Sequence, residues 1–99
     1  MYSHMTGFEW DQWNKDKNWD KHGVSSEEAE QVFINQSVRI YKDAKHSQTE
    51  DRYSALGKTL NGRHLYIAFT VRNELIRIIS ARPMSKKERK LYENEQQNS

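Results

Sequence analysis

The spacing of apolar positions changes at about residue 37, and this change divides the chain into two parts. Before it, Ala29, Val32 and Phe33 recur at the spacing of one face of an amphipathic helix. After it, apolar and polar residues alternate, which is typical of strands buried on one face. The pattern predicts an α+β domain in which helices pack against a sheet.

Capping and turn signals set the bounds of the predicted elements. Asp11 is placed to open a first helix that ends at Gly23, after a short strand at 8–10. Ser25 and Glu28 form a capping box for a second helix. Four strands and a last helix are then expected at 38–41, 52–58, 65–71, 75–82 and 86–93, with a hairpin turn at Asn61-Gly62. The expected order is β-α-α-β-β-β-β-α, with a mainly antiparallel sheet.

The composition indicates one small domain, because only 34% of the 99 residues are hydrophobic and 30% are charged. We expect a single domain over residues 1–99 with flexible ends at 1–6 and 94–99. The chain has no cysteine, which excludes disulfides and cysteine-bound zinc and fits a reducing compartment. No apolar run approaches the roughly 20 residues of a membrane helix, and residues 1–6 lack the apolar core of a signal peptide. A cytoplasmic location is therefore predicted.

The net charge of +2 hides an uneven distribution along the chain. Residues 1–50 carry six Lys and Arg against nine Asp and Glu, whereas residues 51–99 carry ten against five. A basic half on a nearly neutral protein favours a localised anion-binding surface. The alternative is that these charges form an ordinary solvated face.

An apolar run, Ile76–Arg82, contains two arginines that a buried strand does not need. Arg77 interrupts the run and Arg82 ends it, so an anion is expected to meet them. In a regular strand these side chains point to opposite faces, because they are an odd number of residues apart, although a bulge would change this. Two interpretations of Arg77 stay open. It binds a phosphate, or it forms an ion pair with an acid such as Asp51 or Glu74.

The sequence Lys21-His22-Gly23 is a second candidate for chemistry. His22 follows a lysine at a predicted helix end, and histidine is well suited to proton transfer near neutral pH. The alternative is a C-terminal cap in which these side chains only satisfy free carbonyl groups. The four histidines have no metal-ligand spacing, so no metal site is expected; they are His4, His22, His46 and His64.

The last predicted helix begins with a cluster of basic residues: Lys86, Lys87, Arg89 and Lys90. Positive charge at this end opposes the helix dipole, a small cost that suggests another reason for the placement, such as binding nucleic acid or an acidic partner. Ordinary solubility is the alternative. Tyr92 lies three residues after Arg89 on one helical face, so the two are expected to act together.

Many of these residues stand in the order found in one family. In the first half they are Phe8, Trp10-Asp11, Asn18, Lys21-His22-Gly23-Val24-Ser25, Glu28-Ala29 and Val32-Phe33. In the second half they are Arg52, Gly57, Gly62-Arg63, Ile76–Arg82, Glu88-Arg89 and Tyr92. With these motifs the chain resembles the BrnT toxin family over residues 8–93.

The resemblance implies a toxin of a type II toxin–antitoxin module with a RelE-like ribonuclease fold. Such a protein is expected to cleave RNA, to inhibit translation and to be neutralised by a small BrnA-type antitoxin. That partner is expected to supply the DNA-binding domain of a toxin–antitoxin hetero-oligomer, such as a heterotetramer, that represses its own operon. Two positions depart from the family pattern. Asp51 stands where a glutamate is usual, and Asn14 stands where a lysine is usual.

The residue inventory and the resemblance together give a hypothesis for the site. Metal-independent RNA cleavage needs a group that moves protons and cations that stabilise the charged phosphate. Lys21 or His22 is assigned to proton transfer, and three arginines are assigned to the phosphate: Arg52, Arg77 and Arg82. The RNA-binding residues are expected to be Ser80, Arg89, Tyr92, Lys86 and Lys87, and no cofactor is expected. The rival hypotheses are an inactive toxin-like corepressor and a plain RNA- or DNA-binding domain.

Overall fold

A computed structural model of the protein describes residues 7–46 and 50–97. Its elements are β1 (Gly7–Glu9), α1 (Gln12–His22), α2 (Ser26–Ile34), β2 (Arg39–Lys42), a 3-10 turn (Ala44–His46), β3 (Arg52–Lys58), β4 (His64–Arg72), β5 (Leu75–Pro83) and α3 (Lys86–Gln97). The α+β class and the predicted element order are confirmed. The last helix is longer than predicted, because α3 continues beyond residue 93 to Gln97, and residues 1–6 and 98–99 lie outside the described part.

The five strands form one sheet in the order β1-β5-β4-β3-β2. β2 to β5 make an antiparallel meander, and β1 joins the edge of β5 in parallel. We call the side that packs against α2 the covered face. Its core includes Val32 and Phe33 of α2, and the Phe33 ring meets the Phe69 ring edge-on at 5.0 Å. Gly57 permits this packing, because a Cβ atom there would lie 2.8 Å from Val32 Cγ1.

The helix ends follow the predicted local signals. Asp11 accepts a hydrogen bond from the Trp13 backbone N–H at 2.8 Å, and Gly23 ends α1 in the left-handed conformation with φ 61°. The Ser25–Glu28 capping box opens α2. A second capping box opens α3, where Glu88 N–H donates to Ser85 Oγ and Ser85 N–H donates to Glu88 Oε1. These contacts are local, so sequence patterns predict them well.

α1 covers the part of the β5 edge that β1 leaves open. β1 pairs only with residues 75–77, which leaves backbone groups beyond them without a strand partner on that side. The buried Asn18 side chain accepts a hydrogen bond from the Ala81 N–H at 3.1 Å, and Asn14 Nδ2 donates to the Ile78 carbonyl at 3.5 Å. α1 therefore runs alongside β5 in the same direction. No helix in the described residues is long and apolar enough to cross a membrane.

α3 packs on the opposite side of the sheet, which we call the open face. Tyr92 anchors it with only 1% of its surface exposed, and its ring meets the His64 ring edge-on at 5.8 Å. The Tyr92 hydroxyl donates to Ser37 Oγ at 2.9 Å, and Gln96 donates to the Ser37 carbonyl at 3.0 Å. Because these contacts lie near the start of β2 and the start of β4, α3 covers one end of the open face, and no helix of the described residues covers the remainder.

Candidate nucleic-acid interface

A bulge in β5 decides which side chains share the open face. The register pairs Phe69 with Ile78 but the preceding residue, Ala68, with Ser80, so Ile79 is an extra residue. The bulge reverses the alternation beyond it. Arg77, Ser80 and Arg82 consequently lie on the same face of the sheet, and the expectation from a regular strand that the two arginines point apart is wrong.

Cross-strand pairing arranges the open face in three rows. In order along the strands, they are Arg52–Thr70–Arg77, then Tyr41–Ser54–Ala68–Ser80, then Arg39–Leu56–Tyr66–Arg82. The first and third rows are four residues apart on β4, which is about 13 Å at the usual rise of a strand. Small side chains dominate the row between them, so a shallow groove lies between two rows that carry arginines. We call this the arginine groove.

Arg77 forms ion pairs with two carboxylates from the first elements of the chain. Its Nη1 lies 2.8 Å from Glu9 Oε1, and its Nη2 lies 3.6 Å from Asp11 Oδ2. The ion-pair interpretation was therefore correct in kind, but it did not name Glu9 or Asp11. Asp51 instead pairs with Lys42 at 3.4 Å. The parallel pairing of β1 with β5, which no local pattern indicates, places Glu9 directly opposite Arg77.

Arg82 is held on three sides. It donates to both carboxylate oxygens of Glu88 at 2.8 Å, donates to the Pro83 carbonyl at 3.2 Å, and stacks on the Tyr66 ring with 4.1 Å between the guanidinium carbon and the ring centre. The hydrogen bonds from Arg82 lower the pKa of Glu88, although partial burial acts against them. The same hydrogen bonds raise the pKa of Arg82. The pair is ionised at neutral pH and ties α3 to β5.

These ion pairs orient the guanidinium groups without using all of their donors. A guanidinium carries five N–H donors, so Arg77 and Arg82 each retain donors that a phosphate oxygen accepts. The carboxylates of Glu9, Asp11 and Glu88 also cancel positive charge where the groove meets β5. The arrangement therefore offers preoriented hydrogen-bond donors rather than a large net positive charge. Arg52 occupies the same face on β3, half-buried, in the row of Arg77.

The two proposed proton-transfer residues lie at the end of α1. His22 is half-buried, and its backbone carbonyl accepts a hydrogen bond from Arg63 Nη2 at 3.1 Å. Because α1 runs alongside β5, His22 lies one helical turn, about 6 Å, beyond Asn18 and towards the end of β5 that carries Arg82. Lys21 is exposed and lines a surface cavity with Trp13 and other residues of α1. Along β5, His22 thus lies closer to Arg82 than to Arg77.

The residues assigned to RNA binding on α3 fall into two groups. The basic side chains are exposed and lie in the first turns: Lys86, Lys87, Arg89 and Lys90. Arg89 Nε lies 3.9 Å from Glu93 Oε1, one turn further along the helix. Tyr92, by contrast, is buried against the sheet, so the structure corrects its assignment from RNA contact to helix packing. Tyr92 lies on the side of α3 that meets the sheet, whereas the basic side chains lie on its exposed sides.

Two further residues of the open face were missed. Arg39 and Tyr41 of β2 lie in the same rows as Arg82 and Ser80. The alternation of Val38 and Ile40 with Arg39 and Tyr41 carries the signal, because it places both polar side chains on the side opposite the core. The sequence does not show that this face is shared with the arginines of β5.

The fold resembles that of a ribonuclease toxin of known structure. The crystal structure of the Brucella abortus ribonuclease toxin BrnT superposes on 81% of this chain and 97% of that chain, with a TM-score of 0.63 and 23% identity. This likeness establishes the fold. No curated protein matches the chain.

A family model settles the membership. The model of the ribonuclease toxin BrnT of type II toxin–antitoxin systems matches residues 10–88. The chain belongs to the BrnT family of type II toxin–antitoxin toxins, a family described as ribonucleases, and membership implies an antitoxin partner. The matched residues span every element from α1 to the capping box of α3, and they include Arg52, Arg77 and Arg82.

Proposed function

We propose that this chain is an endoribonuclease toxin that cleaves RNA without a metal ion and thereby inhibits translation. The observation that carries the proposal is the β5 bulge, which gathers Arg77, Ser80 and Arg82 on one face with Arg52. Cleavage through a 2′-hydroxyl needs donors fixed around one phosphate, and preorganised donors stabilise the charge that develops in the transition state.

In this proposal, different residues bind the phosphate and transfer protons. Arg52, Arg77 and Arg82 hold the phosphate and its developing negative charge, and Ser80 adds a hydrogen bond. His22 or Lys21 removes the proton of the 2′-hydroxyl or returns a proton to the leaving 5′-oxygen. The side chain of His22 is half-buried whereas Lys21 is exposed, and this difference favours His22. The exposed basic side chains of α3, Lys86, Lys87 and Arg89, extend the contact with the RNA backbone.

The partner in this proposal is a BrnA-type antitoxin. It neutralises the toxin within a hetero-oligomer such as a heterotetramer, and operator DNA is contacted only through the antitoxin. The site of action is the cytoplasm. RNA is the toxin's own substrate, and no cofactor takes part.

The test is digestion of purified RNA in EDTA by the wild-type protein and by His22→Ala and Arg77→Ala. Removing one preorganised donor commonly costs about 10²–10³ in rate, so Arg77→Ala should lose most cleavage. Lys42→Ala is a matched control, because it also removes one positive charge but lies on the covered face, exposed and in a weak pair with Asp51. Loss of wild-type cleavage in EDTA would refute the metal-free scheme. Full activity of both variants would refute the residue assignment.

One observation favours a second candidate, a toxin-like corepressor without catalysis. Arg77 and Arg82 are both paired with carboxylates, which lowers the positive charge available to RNA. Expression in cells separates the two functions. A ribonuclease arrests growth, and co-expression of the neighbouring gene's product relieves the arrest. A corepressor leaves growth unchanged and strengthens operator binding by the antitoxin.

A further inference from the structure

The two ends of the arginine groove differ in how their hydrogen-bond donors are satisfied. At the β5 end, Arg77 and Arg82 donate to carboxylates. At the β2 end, the buried Arg39 Nε and the buried Tyr41 hydroxyl have no hydrogen-bond partner among the described residues. Burying such groups without a partner is unfavourable, so two unpaired donors side by side need an explanation.

Packing of α3 explains only part of this arrangement. Arg39 Nη2 donates to the Glu95 carbonyl at 3.3 Å, which ties the end of α3 to β2. That contact uses neither Arg39 Nε nor the Tyr41 hydroxyl. The two residues are two apart on β2, so their side chains project from the same face of the sheet. They thus form a pair of neighbouring donors at the edge-strand end of the groove.

The surroundings of Tyr41 keep its hydroxyl in the donor form. Burial raises the pKa of Tyr41 first of all, and the nearby Glu95 carboxylate raises it further, while Arg39 acts in the opposite sense. A phenol with a raised pKa stays protonated and neutral at physiological pH. Arg39 supplies the positive charge beside it. An anion with several acceptor oxygens and no donor of its own matches this pair.

We propose that Arg39 and Tyr41 bind a second backbone phosphate of the same RNA strand, further along the strand than the one held between the arginines of β3 and β5. The inference rests on the proposed ribonuclease function and extends its binding site to the edge strand. The middle row of side chains runs from Ser80 on β5 to Tyr41 on β2 and crosses three strand spacings, about 14 Å. One RNA strand that follows this row therefore passes both the β5 end and the β2 end of the groove. The side chains that shield the two donors must move aside when RNA enters.

Tyr41→Phe tests the proposal, because it removes only the hydroxyl. The probe is a fluorescein-labelled single-stranded 2′-O-methyl RNA, which lacks the attacking 2′-hydroxyl, with binding followed by anisotropy. Cleavage of the matching unmodified RNA gives KM and kcat. A hydrogen bond to a charged group is worth about tenfold in affinity, so Kd and KM should rise about tenfold with kcat within about twofold. Thermal stability should be unchanged or higher, since the lost hydroxyl has no partner in the free protein.

Tyr53→Phe is the matched control, because Tyr53 lies on the next strand but faces the core, stacked on Phe69 with 5.5 Å between ring centres. It should leave Kd and KM unchanged. Arg39→Gln is a second variant, and it should weaken binding and reduce the dependence of binding on salt by about one phosphate contact. Lys42→Gln, on the same strand but the other face, should do neither.

The outcomes separate this inference from the function on which it rests. If the wild type cleaves RNA and Tyr41→Phe keeps its Kd and KM, the second phosphate site is refuted while the ribonuclease function stands. If Tyr41→Phe loses affinity only together with thermal stability, the residue is structural and the inference is overturned. If the wild type binds the 2′-O-methyl probe through Tyr41 but does not cleave RNA, the phosphate site stands and the ribonuclease proposal fails.

Discussion

Replacing Glu88 with glutamine tests how α3 is fixed on the sheet. Glutamine keeps the size of the side chain and an oxygen for the capping box, but it removes the charge and one of the two acceptors for Arg82. Solvent-exposed ion pairs are worth about 0.2–1 kcal/mol, and hydrogen bonds to charged groups about 1.5–3 kcal/mol. With side chains 23% and 36% exposed, the Glu88–Arg82 pair falls between these limits. We expect Glu88→Gln to lower the free energy of unfolding by about 1–2 kcal/mol.

The effect of Glu88→Gln on stability should depend on pH, and the pKa of Glu88 determines the direction of this dependence. Glu88 has a lowered pKa, chiefly because Arg82 donates to it, so its contribution to stability is fully present above its unfolded pKa of 4.5. That contribution is lost as the pH falls through the lower pKa of the folded state. The difference in unfolding free energy between wild type and Glu88→Gln should therefore be largest near neutral pH and should close below about pH 4.5. Urea denaturation at a series of pH values measures it.

The control for this prediction is Glu93→Gln on the same helix. Glu93 is 57% exposed, and its ion pair with Arg89 Nε is long at 3.9 Å, so the change should cost less than about 0.5 kcal/mol. At neutral pH the thermal midpoint of Glu88→Gln should fall by about 4–16 °C, and that of Glu93→Gln by less than about 4 °C. Equal losses in the two variants, or a loss for Glu88→Gln that does not change with pH, would refute the reasoning.

Three further predictions concern the sheet and its turns. Gly57→Ala should lower the unfolding free energy by about 1–3 kcal/mol in urea, because its Cβ atom would lie 2.8 Å from Val32 Cγ1; an unchanged midpoint would contradict this. Asn18→Ala should cost about 1–3 kcal/mol and speed hydrogen exchange of the Ala81 amide, which loses its acceptor; unchanged exchange would show that the contact is unimportant. Glu74→Gly should raise the melting temperature, corresponding to about 1 kcal/mol, since Glu74 has a φ of 64°; a lower melting temperature would mean that its side chain outweighs this strain.

The candidate site was only partly predictable. Arg77 and Arg82 stand out in an apolar run, and residue type alone marks them as anion-binding or ion-paired. Their common face does not follow from the sequence, because it depends on the bulge at Ile79, where the run contains neither glycine nor proline. The burial of Tyr92 was also missed. Two apolar residues stand side by side in this helix, Leu91 and Tyr92, and the sequence does not show which of them meets the sheet.

The sequence by itself determined the elements of this protein and their order. Helix caps, the ends of strands and the hairpin at Asn61-Gly62 depend on contacts within a few residues, so local residue types specify them. Tertiary structure decided which distant groups meet. The placing of Glu9 beside Arg77 requires the first strand to pair with the last, and the gathering of Arg77 with Arg82 requires the shift in register between β4 and β5. Both depend on how whole strands pack, because the free energy of that packing is summed over many residues and is not carried by any local signal.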